Sequence, residues 1–245
     1  MNPFFVYVKL FWFFLLLPFL GYAQQPSHYK LGEDELEGVD VYGIHHATDM
    51  NYYLATSQGL MIYDGYDFKS LVNQEMRMTS VFNIVEDYKG DIYCHNLSGQ
   101  VFKLVDDELV LFYTVEKPIN SADLSIQIDN QNLLVVCAGK ILFIDGAGEV
   151  VSDTRIGYTS FPTRISDGTI RLFAKGSNTF YDFKDGRITT DRSLVLKDST
   201  RVLNTIEFRR AELLYETVNG NVYIQSDSTL SEVINMEELT SKMKR

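Results

Sequence analysis

The side chains best able to do chemistry are the adjacent His45-His46, the carboxylate runs Glu33-Asp34-Glu35, Asp106-Asp107-Glu108 and Glu237-Glu238, and the two cysteines, Cys94 and Cys137. Imidazoles hold metals or move protons near neutral pH. Successive side chains of a strand point to opposite faces, however, so His45 and His46 cannot chelate one ion side by side; a metal site would need His95 or His28 as well. Paired carboxylates hydrolyse glycosides when both flank one cleft and burial raises one pKa. The runs here fall in turns and flanks, where solvation is the default. "DYKGD" at 87–91 and "SDGTI" at 166–170 are turn sequences whose Asp accepts hydrogen bonds from amides two residues on. Neither of them fits the Asp-x-Asp-x-Asp-Gly calcium loop, nor does "DGAGE" at 145–149. There is no Gly-x-Ser-x-Gly elbow and no His-Glu-x-x-His. The cysteines form no CxxC and sit in apolar strand patterns, so buried free thiols are expected. The expectation is therefore no catalytic residue, no metal and no cofactor. Aromatic residues offer more for binding: Tyr63, Tyr66 and Phe68 share one hairpin, with Tyr42, Tyr52 and Tyr53 nearby. Any one of them also suits ordinary packing between sheets.

The elements that carry these residues repeat. Gly59, Gly99, Gly139, Asn178 and Gly220 follow one another at spacings of 40, 40, 39 and 42 residues. Bulky residues six positions earlier keep the same spacing (Tyr53, Tyr93, Leu133, Leu172, Leu214). So do apolar residues two positions later (Met61, Val101, Ile141, Phe180, Val222). A looser column marks a second turn: Asp64-Gly65, Asp106-Asp107, Asp145-Gly146, Asp185-Gly186, Asp227-Ser228. Within a unit the apolar period is two, and four short strands fit each unit of about 40 residues. This predicts an all-β fold, a β-propeller of four-stranded blades. About five blades are visible, over 38–75, 78–116, 120–155, 160–197 and 200–235, in a ring that is incomplete or latched by a lone strand at "SHYKL" near 27–31. Each sheet buries both faces only against its neighbours, so the recurrent Gly and bulky positions report turn geometry and inter-blade packing. The tail "NMEELTSKMKR" is charged and helix-prone.

Residues 1–23, "MNPFFVYVKLFWFFLLLPFLGYA", read as a secretory signal peptide ending in small residues, with an uncleaved N-terminal anchor as the alternative. The propeller would then occupy 24–245 outside the cytoplasm. Cleavage removes only Lys9 from the charge count and shifts the net charge from −11 to −12. So acidic a surface repels phosphate backbones, and nucleic acid is not an expected partner.

"VFNIVEDYKGDIYCHNLSGQVFKL" (81–104), "YLATSQGLMIYDGYDFK" (53–69) and the lead-in "LEGVDVYGI" (36–44) resemble the two-component regulator propeller repeat, over about residues 28–110. The family's blade Trp is replaced by Tyr53, Tyr93 and Leu133, and the sole Trp, Trp12, lies in the leader. The resemblance implies an exported, periplasmic sensor region, the N-terminal part of a membrane-bound bacterial histidine kinase. It would be tethered to the inner membrane, with a homodimer formed through the kinase, and the chain itself non-enzymatic. The ligand would be a small molecule, a glycan or a protein. A stand-alone periplasmic interaction scaffold and a propeller glycan hydrolase or lyase are the alternatives from other functional classes.

Overall fold

The computed structural model describes residues 31–115, 124–129, 132–137, 139–156, 162–174, 179–191, 202–209, 212–226 and 229–243. Two compact units divide the chain, Met1–Glu37 and Gly38–Arg245. Of the first, 31–37 are described and form a turn in which the Leu36 amide donates to Gly32 O (2.9 Å). The leader at 1–23 and most of the 27–31 segment lie outside the described residues. No described helix is long and apolar enough to cross a membrane.

Among its described residues the second unit is all-β but for one helix near its C-terminal end. Five sheets of four strands each follow in chain order. The first holds β1 (Val41–His46), β2 (Tyr52–Thr56), β3 (Gly59–Tyr63) and β4 (Phe68–Leu71). The second holds β5 (Val81–Glu86), β6 (Ile92–Asn96), β7 (Gln100–Val105) and β8 (Glu108–Thr114). The third holds β9 (Ser125–Asp129), β10 (Asn132–Cys137), β11 (Lys140–Ile144) and β12 (Val150–Arg155). The fourth holds β13 (Thr163–Arg164), β14 (Ile170–Ala174), β15 (Thr179–Lys184) and β16 (Arg187–Asp191). The fifth holds β17 (Val202–Arg209), β18 (Glu212–Thr217), β19 (Val222–Ser226) and β20 (Thr229–Ile234), followed by α1 (Met236–Met243). Every sheet is an antiparallel meander built from its own stretch of chain. Among the described strands, none joins the sheet of another unit, and Leu31, the one described residue of the 27–31 segment, lies in a turn.

The sheets are stacked face to face as propeller blades. One apolar layer joins blades 1 and 2 (Tyr53, Leu60 and Ile62 with Ile92, Cys94 and Phe102). A second joins blades 2 and 3 (Tyr93 and Val101 with Ile126, Leu133 and Val135). A third joins blades 3 and 4 (Leu134, Val136 and Phe143 with Ile170, Leu172 and Phe183), and a fourth joins blades 4 and 5 (Phe173 and Phe180 with Leu213, Tyr215 and Tyr223). Neighbouring blades meet most closely at their first strands, β1 against β5 and β5 against β9. These inner strands are tied to one another by side chains: Asn83 Oδ1 accepts from the Ile126 amide at 2.8 Å, and Thr163 Oγ1 donates to Thr205 O at 3.1 Å.

The turn chemistry follows the recurrent columns. Gly59, Gly99, Gly139 and Gly220 all adopt positive φ (116°, 86°, 77° and 77°), while Asn178 lies outside the described residues. Asp106-Asp107 and Asp185-Gly186 also take positive φ at both positions, the two-residue hairpin geometry that matches strand twist. The bulky column needs correction. The recurrent turn residue does not hold one register: Gly59 itself pairs with Thr56, Gly139 falls between the paired Cys137 and Lys140, and four residues separate the paired Ala174 and Thr179. Counting back from Gly or Asn therefore slips against the pleat. Tyr53 and Tyr93 face the following blade, whereas Leu133 and Leu172 face the preceding one. By strand register the structural equivalents of Tyr53 are Leu134 and, in blade 4, Arg171.

The tail forms α1 with a regular start. Asn235 Oδ1 accepts from the Glu238 amide (3.1 Å), an N-cap, and Lys242 Nζ reaches Glu238 one turn back (2.6 Å).

Candidate functional site

The aromatic residues of blade 1 separate into four groups. His46, Tyr52, Tyr63 and Phe68 are register partners on β1, β2, β3 and β4, so their side chains line up across one face of the sheet. The rings form a row: His46–Tyr52 stacked at 4.6 Å, Tyr52–Tyr63 tilted by 41° at 6.4 Å, Tyr63–Phe68 stacked at 4.6 Å. This face points away from blade 2, which is covered instead by Tyr53, Leu60 and Ile62 on the opposite side. Tyr53 is thus a buried packing residue whose hydroxyl donates to Asp49 (2.7 Å); burial, followed by that carboxylate, pushes its pKa up to about 12. Tyr42 lies on the inner strand and stacks on Phe82 of blade 2 at 4.5 Å. Tyr66 projects from the β3–β4 turn and is 90% exposed.

Beside Tyr42, His45 and His46 diverge to opposite faces. His45 Nε2 lies 3.0 Å from Glu86 Oε2 of blade 2, and His46 joins the aromatic row. The Glu86 carboxylate also accepts from the Thr48 amide (2.9 Å) and, in a short bond, from the Thr48 hydroxyl. Because a carboxylate only accepts, His45 Nε2 carries the proton. Glu207 repeats the arrangement between blades 5 and 4, accepting from the Ser166 amide (2.8 Å) and hydroxyl (2.7 Å). Both carboxylates stand 13 residues before the turn glycines Gly99 and Gly220, a column that sequence reading missed although its period is the repeat's own.

Burial raises the Glu86 carboxyl, but the Thr48 hydroxyl and amide, with His45, more than offset it, and its pKa ends below the ordinary value of 4.5. A depressed carboxyl stabilises the fold fully above its unfolded pKa and loses that contribution as pH falls through its folded pKa. Glu86→Gln is expected to cost about 2 kcal/mol at neutral pH. Melting curves of the wild type and Glu86→Gln should converge as the pH is taken down below 4.5. A gap that widens on acidification would contradict the assignment.

The remaining candidates are structural. His95 is buried (2% exposed); burial drives its pKa down to about 4, and its nearest polar contact is Nδ1 to Asn96 O at 3.4 Å. The structure does not bring it together with His45 or His46, and His28 lies outside the described residues. No group of three or more potential metal ligands occurs among the described residues. Asp87, Asp145 and Asp167 organise their turns by accepting amide hydrogen bonds from Lys89 (2.8 Å), Ala147 (2.9 Å) and Thr169 (2.9 Å). The carboxylates of Glu33-Asp34-Glu35 and Asp106-Asp107-Glu108 are exposed. Cys94 and Cys137 are free and buried, and burial pushes their thiols up to about 12 and about 11. Sequence reading also passed over Arg171, whose guanidinium is buried between blades 4 and 5 and fully bonded.

The chain is thus a β-propeller that carries a partly exposed aromatic row on its first blade. No family model matches the sequence, and no curated protein matches it. Solved structures do. The virginiamycin B lyase of Staphylococcus aureus superposes with a TM-score of 0.63 at 12% identity, over 83% of this chain and 72% of that one. The extracellular domain of a protein assigned as a hybrid two-component system of B. thetaiotaomicron gives 0.55 at 14%, over 83% of this chain and 34% of that one. BamB of Moraxella catarrhalis gives 0.55 at 15%, over 80% and 65%. At such identities the likeness establishes the fold, a β-propeller arrangement shared by a lyase, an extracellular domain of a two-component system and BamB. The chain spans about a third of that extracellular domain.

Proposed function

We propose that this chain is a non-catalytic, extracytoplasmic sensing propeller of a two-component signalling system. One observation carries the reading. The two blades whose sequence resembles the two-component regulator propeller repeat are four-stranded antiparallel sheets, in an architecture shared with a two-component extracellular domain. The leader-like segment 1–23 supports a periplasmic location on the outer side of the inner membrane. In this role the propeller works by differential binding: a ligand favours one arrangement of the blades, and that bias reaches a membrane-bound histidine kinase, dimeric through its kinase part. A ligand screen by thermal shift and calorimetry, with product analysis of every hit, tests it. At least one small molecule, glycan or protein is expected to bind saturably and to be recovered unchanged. Turnover of a bound compound, abolished by one carboxylate or His substitution, would overturn the reading.

A lyase reading has one observation in its favour, the His45–Glu86 pair beside the inner strands of a fold shared with virginiamycin B lyase. In this structure, however, His45 is engaged by Glu86, and Glu86 by His45 and Thr48 across the two blades. Quinupristin, the compound held by an inactive variant of that lyase, is expected to remain intact when incubated with this chain, as followed by mass spectrometry.

A further inference from the structure

The aromatic row of blade 1 has an electrostatic setting that selects its occupant. The row ends at two turns, β1–β2 and β3–β4, which carry the exposed Met50 (71%) and Tyr66 (90%). The same turns carry Asp49, Asp64 and Asp67. The amides of Asp67 and Tyr66 donate to Asp64 and hold its carboxyl below the ordinary value. Blade 1 contains a single Lys or Arg, Lys69, which is spent on Asp107 of blade 2 (3.1 Å). The adjoining turn of blade 2, Asp106-Asp107-Glu108, adds further negative charge. A partly exposed run of π-faces with carboxylates in its adjoining turns, on a chain of net charge −11, favours a ligand that is both cationic and able to lie flat on rings. Guanidinium meets both demands better than ammonium, because it is planar, weakly hydrated and stacks on aromatic faces.

We propose that the row His46–Tyr52–Tyr63–Phe68, with Tyr66 and Asp67 at its tip, is a binding site for an arginine-containing basic peptide. The site rests on the sensing reading above and gives it a ligand class.

The test is a titration of the full chain with N-acetylated hexa-arginine amide, with hexa-lysine, hexa-serine and a neutral hexasaccharide run in parallel. Tyr66→Ala and Asp67→Asn are the informative variants, since both side chains are exposed and their loss leaves the fold intact, as unchanged melting temperatures should show. Hexa-arginine is expected to bind at one site, more tightly than hexa-lysine, and to weaken about fivefold in each variant. Hexa-serine is expected not to bind. Attraction to overall negative charge alone would treat hexa-lysine and hexa-arginine alike and ignore Tyr66→Ala, and would overturn the proposal. Saccharide binding that is lost with Tyr66→Ala would overturn it while leaving the sensing reading in place. Turnover of any bound probe would instead defeat the sensing reading.

Discussion

Replacing Arg171 by alanine is expected to remove about 3–5 kcal/mol of stability, among the largest effects of any single substitution of a polar residue in this fold. Arg171 is 8% exposed, yet every part of its guanidinium is engaged. Nε and Nη2 donate to the two carboxylate oxygens of Asp182, each at 2.6 Å, within blade 4. Nη1 donates to Gln225 Oε1 (2.6 Å) and Tyr215 Oη (3.0 Å) of blade 5, and the Tyr215 hydroxyl in turn donates to Gln225. The guanidinium also lies over Phe180, its carbon 5.8 Å from the ring centre. Truncation leaves a largely desolvated carboxylate and two inter-blade polar groups without their shared donor, which costs far more than the lost bonds are worth. Arg171→Lys should recover little, because an ammonium cannot reproduce the two-pronged contact with Asp182. The discriminating variant is Arg171→Leu with Asp182→Leu, which removes both charges. If chemical denaturation shows it much less damaged than Arg171→Ala, the penalty lies in the unpaired charge. If Arg171→Ala itself costs under about 1 kcal/mol, the network does not join the two blades.

That residue also shows where the sequence stops being legible. The fold could be read because it is written in repetition: four turn glycines at positive φ, period-two strands and Asp turns all recur at one spacing. The orientation of individual side chains could not, because it depends on hairpin length. Blade 4 has four residues between Ala174 and Thr179 where blade 1 has two between Thr56 and Gly59. A column anchored on the turn therefore selects Leu172, while the pleat puts Arg171 in the place of Tyr53. Strand register is set by backbone pairing, and a slip of one residue reverses every face. The candidate site was legible to the same depth. The cluster of aromatics was visible in the sequence, and so was the divergence of His45 from His46. That Tyr52, Tyr63 and Phe68 share a face while Tyr53 does not required the register. The inter-blade carboxylates Glu86 and Glu207 were missed for another reason: their partners, Thr48 and Ser166, lie in the preceding unit, and a scan for local motifs does not look there.

Phe102→Ala tests the stacking itself. Phe102 is fully buried on β7, in the layer it shares with Ala55, Leu60 and Cys94, none of which has any exposed surface. Small residues on both sheets leave the space that its ring fills, so the surroundings have little freedom to collapse onto a void. The expected loss is about 3–5 kcal/mol. In a stack where each blade touches only its neighbours, stability is a sum of blade and interface terms, and damage at one interface need not spread to the rest. Hydrogen exchange should therefore show the amides of β2, β3 and β6 losing protection, while those of β14, β15, β18 and β19 keep it. Leu134→Ala, in the layer between blades 3 and 4, should loosen β10 and β14 and spare β2. Uniform loss of protection across all five blades in both variants would mean that the sheets are held by something other than their successive faces.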